Sequence, residues 1–322
     1  MTALGTSLGN GSIIRPVGFY IVGFRALPLV ELYLIFLAAV YAATVLCNTF
    51  VIAVVCFEHR LHTPKYIAVA NLAVVDLALS TSLIPGMLKT FLVKDNFITF
   101  NICLTQMFFC YAFLTMESLS ITVLAYDRLI AICFPLHQHS INTITRMISI
   151  IMIMWAVDVG THAFSISTMT SLSFCKSTDV YSYFCDFAPV FRLACNDYSL
   201  QWTCATTLSL VNLFGPLSFI TLTYICILIS VFRMQSIESR FKALSTCVEH
   251  LFLVAIFYVP FLTLFIIGLF LFGVNPDMRM LTLSLASCLP PLLNPVVYSL
   301  KTKEIRARAF VILQKIKVRS AV

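Results

Sequence analysis

The chain has 322 residues, of which 60% are hydrophobic and only 11% are charged, and its formal net charge is +7. A soluble globular protein carries about 25% charged residues, so this composition excludes a water-soluble fold and predicts an integral membrane protein. The positive charge is expected to face anionic membrane lipids, and nucleic-acid binding is not expected.

Apolar runs of about 20 residues are long enough to cross a bilayer as helices. No segment shows the ten-residue alternation of a membrane β-barrel. The predicted fold class is therefore an all-α membrane protein with a seven-transmembrane helix bundle, its spans lying near residues 29–56, 65–91, 102–133, 144–171, 198–232, 243–272 and 278–300.

The distribution of Lys and Arg predicts the orientation. With the amino terminus outside, 14 of the 21 basic residues lie on the cytoplasmic side, as the positive-inside rule favours. Residues 1–28 are then extracellular and carry a glycosylation sequon at Asn10, and residues 29–300 form the membrane domain. Residues 1–26 lack a signal-peptide pattern, so the first span is expected to direct insertion. Residues 301–322 are predicted to form a cytoplasmic amphipathic helix and tail.

Polar side chains interrupt the first three spans. Asn48 lies in the first span, Asp76 in the second and Glu117 in the third. Two acids in adjacent helices repel unless they share a proton or a cation. The alternative is that each acid is neutral and bonded locally, as Asn48 also would be if it bonded a neighbouring backbone.

The third span organises the rest of the prediction. Glu117 and Arg128 are eleven residues apart, close to three helical turns, so both lie on one face. They belong to an apolar stripe that is expected to point inward, in which the polar members carry functional weight: Cys110, Leu114, Glu117, Ile121, Leu124 and Arg128.

Four of the twelve cysteines are expected in the oxidising compartment. Cys103 begins the third span, and Cys175, Cys185 and Cys195 lie in the following outer loop. Three pairings of these four cysteines are possible from the sequence.

The later spans carry helix-bending prolines and one buried histidine. Pro216, Pro260 and Pro295 each remove a backbone hydrogen bond, so bends are predicted in three helices around one polar interior. His162 could touch a ligand, but an internally bonded histidine is the favoured interpretation.

Four sequence motifs resemble the odorant receptors of the rhodopsin-like (class A) G-protein-coupled receptor family. Residues 124–136, Leu-Ala-Tyr-Asp-Arg-Leu-Ile-Ala-Ile-Cys-Phe-Pro-Leu, are similar to their Met-Ala-Tyr-Asp-Arg-Tyr-Val-Ala-Ile-Cys-x-Pro-Leu signature. Residues 61–66 are similar to Leu-His-Thr-Pro-Met-Tyr, and residues 242–251 to Lys-Ala-Phe-Ser-Thr-Cys-x-x-His-Leu. Residues 290–300 match the end of their seventh helix, so the motifs cover the chain from about residue 45 to 306.

The resemblance implies a plasma-membrane receptor that binds a small odorant and activates a stimulatory, olfactory-type heterotrimeric G protein, raising cyclic AMP. It also implies a Cys103–Cys185 disulfide and a second bridge between Cys175 and Cys195. In the implied switch, Asp127 holds Arg128 at rest, and outward movement of the sixth helix releases Arg128 to meet the G protein alongside Tyr224 and Tyr298.

The sequence departs from the family pattern at several positions. Leu129 replaces the tyrosine that commonly follows the Asp-Arg pair, and Lys65 replaces a methionine, so contacts of the inner loops are expected to differ. Pro260 is uncommon in mammalian odorant receptors, whereas Tyr258, standing where most other rhodopsin-like receptors have tryptophan, favours the odorant branch. These features suggest a divergent, fish-like member.

Two candidate sites follow from the family positions. The ligand set is aromatic and aliphatic with a few hydroxyls, which predicts a small, neutral, mostly apolar ligand: Cys110, Tyr111, Leu114, Thr115, Leu208, Ser209, Asn212, Tyr258, Phe261, Phe265, Ser284 and Ser287. The second hypothesis is that Asp76 and Glu117 bind Na⁺ or share a proton, within a polar centre that also contains Asn48 and Asn294. No other cofactor is expected.

Other function classes are less favoured. The main alternative is a non-olfactory rhodopsin-like receptor for a lipid, an amine or another small ligand. A transporter or channel is disfavoured because no inverted repeat is evident. An enzyme is disfavoured because no nucleophile–base pair or metal-ligand cluster faces one compartment.

Overall fold

The computed structural model describes residues 13–175, 177–270 and 275–301, without the side chains of residues 267–270 and 299–301. The Asn10 sequon lies outside the described residues, as does the predicted amphipathic helix beyond Lys301, with its proposed lipid-facing side chains Ile305, Phe310, Ile312 and Leu313. Neither prediction is addressed by the structure.

Seven helices in the described part of the chain are long and apolar enough to cross a membrane, which confirms the predicted fold class. In chain order the described α-helices are α1 (Val30–Phe57), α2 (Pro64–Met87), α3 (Phe100–Cys133), a short α4 (Gln138–Ile141), α5 (Ile144–Ser167), a short α6 (Phe187–Phe191), α7 (Ser199–Arg233), α8 (Ile237–Phe270), α9 (Pro276–Cys288) and α10 (Pro290–Lys301). The last span is formed by α9 and α10 together.

Two predicted boundaries differ from the structure. Helix α8 begins at Ile237, six residues before the predicted start at residue 243, so the charged residues Glu238, Arg240 and Lys242 are also helical. The predicted seventh span is interrupted at Leu289, where Pro290 and Pro291 cannot donate backbone hydrogen bonds to the preceding turn. By contrast, α7 and α8 continue as helices through Pro216 and Pro260.

Helix α3 is the centre of the bundle. It contacts α2, α5, α7 and α8, and 61% of its most apolar stretch is buried, compared with 22% for α8. The predicted inward stripe is buried or half-buried throughout, from Cys110 to Arg128. Side chains on α3 can therefore reach most of the helices that enclose the interior.

Three short strands and two disulfides cover one end of the bundle, which we call the disulfide end. Strand β1 (Gly18–Ile21) pairs antiparallel with β2 (Phe97–Thr99) and parallel with β3 (Asp179–Val180). The disulfides join Cys103 to Cys185 and Cys175 to Cys195, the pairing that the family resemblance implies. Phe19 packs at the centre of this cap against Phe100 and Phe174.

The segment after β1 is fastened to the last span. The Ala26 N–H donates a hydrogen bond of 2.5 Å to the Asp277 carboxylate at the start of α9. This contact joins residues 251 positions apart, so it closes the cap between the first and last helices.

Gly18 allows β1 and β2 to approach closely, and substituting it should destabilise the cap. A Cβ atom at Gly18 would lie 2.2 Å from the backbone oxygen of Ile98, which cannot move without disturbing the strand pairing. We expect Gly18→Ala to cost about 1–3 kcal/mol through overpacking, measured as a lower thermal unfolding midpoint of the purified protein.

Gly160→Ala is the matched control, because a Cβ atom there meets nothing within 4 Å on the exposed face of α5. Equal unfolding midpoints for the two variants would show that the close approach at Gly18 does not constrain the cap.

Candidate functional site

A hydrogen-bonded polar layer crosses the interior of the disulfide-end half of the bundle. The Thr115 hydroxyl on α3 accepts a 3.1 Å hydrogen bond from the Asn212 amide on α7. On its other side the Thr115 hydroxyl lies 3.5 Å from Nε2 of His162 on α5. The layer therefore links three helices through two members of the predicted ligand set and one histidine.

His162 is held within its own helix, in agreement with the favoured sequence interpretation. Its Nδ1 lies 3.0 Å from the backbone oxygen of Asp158 and 3.1 Å from the Asp158 carboxylate. Both residues are buried. His162 is thus positioned to orient Thr115 through its remaining nitrogen.

An aromatic and aliphatic cluster lies beside this layer. The Tyr258 hydroxyl on α8 is 2.7 Å from the Ser118 hydroxyl on α3, and Tyr258 is only 1% exposed. Leu114 and Phe261 pack against the same cluster. The structure therefore brings Leu114, Thr115, Asn212, Tyr258 and Phe261 together where α3, α7 and α8 meet.

Other predicted ligand residues lie at the edges of this region. Phe265 contacts Phe214 edge to face at 5.3 Å, Leu208 is half-buried, and Ser209 is exposed. Ser284 is directed toward α1, where its hydroxyl is 2.7 Å from that of Tyr33. Ser287 donates to the Leu283 carbonyl of its own helix.

The loop that follows α5 contributes residues that the sequence analysis did not select. The Tyr111 hydroxyl donates a 2.5 Å hydrogen bond to the Asp186 carboxylate, and the Tyr111 ring lies 6.0 Å from that of Phe184. Burial raises the pKa of the Asp186 carboxyl, whereas the Tyr111 hydroxyl and the nearby Arg279 charge lower it. In the sequence, the aromatic residues next to Cys185 could have indicated this contact, because the disulfide between Cys185 and Cys103 fixes the loop over α3.

A cavity of about 460 Å³ also opens at the disulfide end, but it is separate from the predicted ligand set. It lies between α2, α3 and the cap, and its described lining includes Gly86, Lys89, Gln106, Phe109 and Phe184. No residue of the predicted ligand set is among the described residues that line it.

A cluster of buried oxygen atoms occupies the middle of the bundle. The Asn294 amide donates to Asp76 at 2.9 Å and to Glu117 at 3.4 Å, so it bridges the two acids. The Asn48 amide bonds the backbone oxygens of Thr44 and Pro291. One carboxylate oxygen of Asp76, one of Glu117 and the side-chain oxygen of Asn48 are buried without a hydrogen-bond partner. The Ser80 hydroxyl oxygen is also buried without a hydrogen-bond partner.

At the end of the bundle opposite the disulfides, Asp127 is held by Asn142. The Asn142 amide donates a 2.8 Å hydrogen bond to the Asp127 carboxylate, and Lys65 interacts with it electrostatically. Among the described residues, Asp127 and Arg128 form no ion pair within 4.0 Å. Arg128 still acts electrostatically on Asp127, and the resting role that the resemblance implies for this pair stays a prediction.

Arg128 instead lies close to the helices on the other side of α3. It is buried, with 7% of its surface exposed, and it interacts electrostatically with Tyr224, His250 and Tyr298. Tyr298 packs in an apolar cluster, and its hydroxyl has no hydrogen-bond partner in the described structure. The Arg128 guanidinium is therefore enclosed, in this conformation, near side chains of α7, α8 and α10.

His250 ties three helices together next to Arg128. Its Nε2 lies 2.8 Å from the backbone oxygen of Ile121 on α3, an atom that can only accept, so Nε2 donates. Its Nδ1 lies 2.8 Å from the Tyr224 hydroxyl on α7, which donates to it when the imidazole is neutral. The sequence analysis noted His250 only as part of a motif and gave it no role.

Comparison with known proteins identifies the family. The family model described as "Olfactory receptor" matches residues 37–316. Human olfactory receptor 6N1 is 34% identical over 93% of this chain and 96% of its own length, and human olfactory receptor 5F1 is 36% identical over 88% and 90%. Mouse olfactory receptor 2A7 is 32% identical over 89% and 93%.

These relatives are mammalian, so the suggestion of a fish-like member stays a prediction. Olfactory receptors are G-protein-coupled receptors, so the family match identifies the chain as a receptor and not an enzyme. It is a multi-pass protein of the plasma membrane with a small-molecule ligand and a G protein as partners. The chain belongs to the olfactory receptor family of rhodopsin-like G-protein-coupled receptors.

Proposed function

We propose that this receptor binds a small, neutral, mostly apolar odorant where α3, α7 and α8 meet, and that it activates a stimulatory olfactory-type G protein, raising cyclic AMP. The observation that carries the proposal is the Thr115–Asn212 hydrogen bond beside the apolar cluster of Leu114, Tyr258 and Phe261. A hydroxyl and an amide can exchange their mutual bond for one to a ligand oxygen. The surrounding rings and aliphatic groups favour the rest of an apolar molecule.

The proposed orientation places the amino terminus and the disulfide end outside the cell. The excess of Lys and Arg at the opposite end supports it through the positive-inside rule. The two disulfides also support it, because disulfides persist in oxidising compartments. The G protein would then meet the end that carries Asp127 and Arg128.

The proposed signal passes from the ligand to Arg128 through α8. A ligand that contacts Tyr258 and Phe261 touches the same helix that carries His250, about two turns further along. Separation of His250 from Ile121 and Tyr224 would free α8 to move away from α3 and expose Arg128. The ligand drives this change only to the extent that it binds the separated arrangement more tightly.

Replacing Thr115 tests the ligand site. Thr115→Val keeps the shape of the side chain but removes the hydroxyl, so an odorant that bonds it should lose about 1–2 kcal/mol, a five- to thirtyfold rise in half-maximal concentration. The measurement is cyclic AMP in cells that express the receptor with an olfactory-type stimulatory G protein, screened against diverse small odorants.

Thr206→Val is the matched control, since it removes a hydroxyl that is exposed on α7 and bonds the Trp202 carbonyl of its own helix. If charged amines or carboxylates were the strongest activators, or if both variants lost equal potency, the proposed site would be wrong.

We also propose that the central oxygen cluster holds Na⁺ in the resting receptor. Hard cations prefer oxygen ligands, and the unpartnered oxygens of Asp76, Glu117, Asn48 and Ser80 fit such an ion. The ion would supply the positive charge that lets the two acids remain close together.

Glu117→Gln should abolish sodium sensitivity, because it removes the charge of one proposed ligand at nearly unchanged shape. In the unaltered receptor, replacing Na⁺ by a large organic cation is expected to raise odorant potency by about fivefold or more. Potency of the Glu117→Gln receptor should not respond, whereas Glu238→Gln, at an exposed acid on α8, should respond normally. Sodium sensitivity that persists in Glu117→Gln would show that Na⁺ acts at another site, and an unaltered receptor that does not respond to Na⁺ would favour a shared proton.

A further inference from the structure

A continuous groove runs along the lipid-facing side of α2 and α3. The 460 Å³ cavity at the disulfide end shares Ser82 and Phe109 with a second cavity of about 440 Å³ that lies deeper along the same helices. Val74, Phe109 and Phe113 line the deeper part, where the rings of Phe109 and Phe113 stack at 5.6 Å. Val74 and Phe109 are 46% and 42% exposed, so the groove opens toward the membrane.

Irregular backbone at the end of α2 builds the upper part of this groove. Pro85 removes one helical hydrogen bond, and residues Leu88–Leu92 form a π-helical turn in which the Val93 N–H bonds the Leu88 carbonyl. Such turns widen a helix and occur frequently at functional sites. Here the turn directs Lys89 and Thr90 into the lining of the cavity.

A glycine and a glutamine fix the wall between α2 and α3. A Cβ atom at Gly86 would lie 2.7 Å from the Gln106 amide, so glycine lets this amide lie close against α2. Gln106 in turn accepts from the Cys185 N–H at 3.1 Å and donates to the Ser82 carbonyl at 3.4 Å. The groove is therefore bounded by a hydrogen-bonded structure that ties it to the disulfide.

The two ends of the groove differ in chemistry. At the upper end Lys89 and Asp95 form an ion pair of 3.2 Å whose side chains are more than half exposed, so it can open at little cost to pair with other charges. The rings of Phe97, Tyr183 and Phe184 line the same end, and aromatic faces attract quaternary ammonium groups. The deeper end is lined almost wholly by apolar side chains.

The length and depth of the groove match one leaflet of a bilayer. The span Pro64–Leu92 contains 29 residues and is about 43 Å long, which covers the hydrocarbon core and both headgroup regions. Lys89 lies near the end of this span and so falls at headgroup depth. Val74 lies fifteen residues deeper, about 22 Å along the helix, within the hydrocarbon.

We infer that this groove binds a zwitterionic phospholipid with a choline headgroup from the leaflet at the disulfide end. The phosphate pairs with Lys89, the quaternary ammonium lies near Asp95 and the aromatic rings, and one acyl chain follows Phe109 and Phe113 to Val74. The site is distinct from the proposed odorant site, with which it shares no described residue.

Photolabelling tests this inference on the full-length receptor in lipid nanodiscs. The probe is a phosphatidylcholine with a diazirine in one acyl chain, and labelled peptides are mapped by mass spectrometry. We expect the label to concentrate on residues 74–113 and to be competed about tenfold better by unlabelled phosphatidylcholine than by phosphatidylglycerol, a difference of about 1.4 kcal/mol.

Variants at the headgroup end separate a site from general lipid contact. Lys89→Gln combined with Asp95→Asn should reduce the label on residues 74–113 at least fivefold. Lys94→Gln, which removes a neighbouring exposed charge outside the lining, should leave it unchanged. Ala78→Phe, which fills the deeper end, should also reduce the label; each variant is first checked for normal surface expression.

Three results would overturn the inference. Labelling spread evenly over all seven spans would show only annular lipid. Preference for phosphatidylglycerol would show an anionic lipid bound through Lys89 alone. Displacement of the label by an activating odorant would assign the groove to the odorant.

Discussion

The interior of the bundle lacks bulk water, so each polar side chain on α3 must find a partner on another helix or on its own backbone. This constraint decides where the neighbouring helices lie. Thr115 is bonded by Asn212 of α7, Ser118 by Tyr258 of α8, and Ser120 by Asn71 of α2. The Ile121 carbonyl accepts a hydrogen bond from His250, which is a second contact between α3 and α8.

These contacts make α3 a physical connection between the two ends of the receptor. Its first turn carries the disulfide, its middle carries Thr115 and Glu117, and its last turns carry Asp127 and Arg128. Hydrogen bonds to α8 lie at two depths, through Tyr258 and through His250. A ligand at the proposed site would alter the first contact and, through the same helix, the second.

The sequence predicted the spans and the inward face of α3 because bilayer thickness and helical period set both. Other features depend on tertiary contacts that the pattern does not encode. Asn142, 15 residues after Asp127 and outside the motif, becomes its partner only because the chain folds back through α4. Pro290, Pro291 and Pro295 all lack a backbone N–H, yet the last span is interrupted at Leu289 and continues as a helix through Pro295. The aromatic residues around Cys185 lie near Tyr111 because the disulfide holds their loop over α3.

The unfolding midpoint of a His250→Phe receptor tests most directly whether polar contacts to α3 hold the bundle together. Phenylalanine keeps an aromatic ring but removes the hydrogen bonds to the Ile121 carbonyl and the Tyr224 hydroxyl, at a cost of about 1 kcal/mol for each bond. The account predicts a lower midpoint than for the unaltered receptor or for His139→Phe, which changes an exposed histidine. Equal midpoints for all three proteins would contradict it.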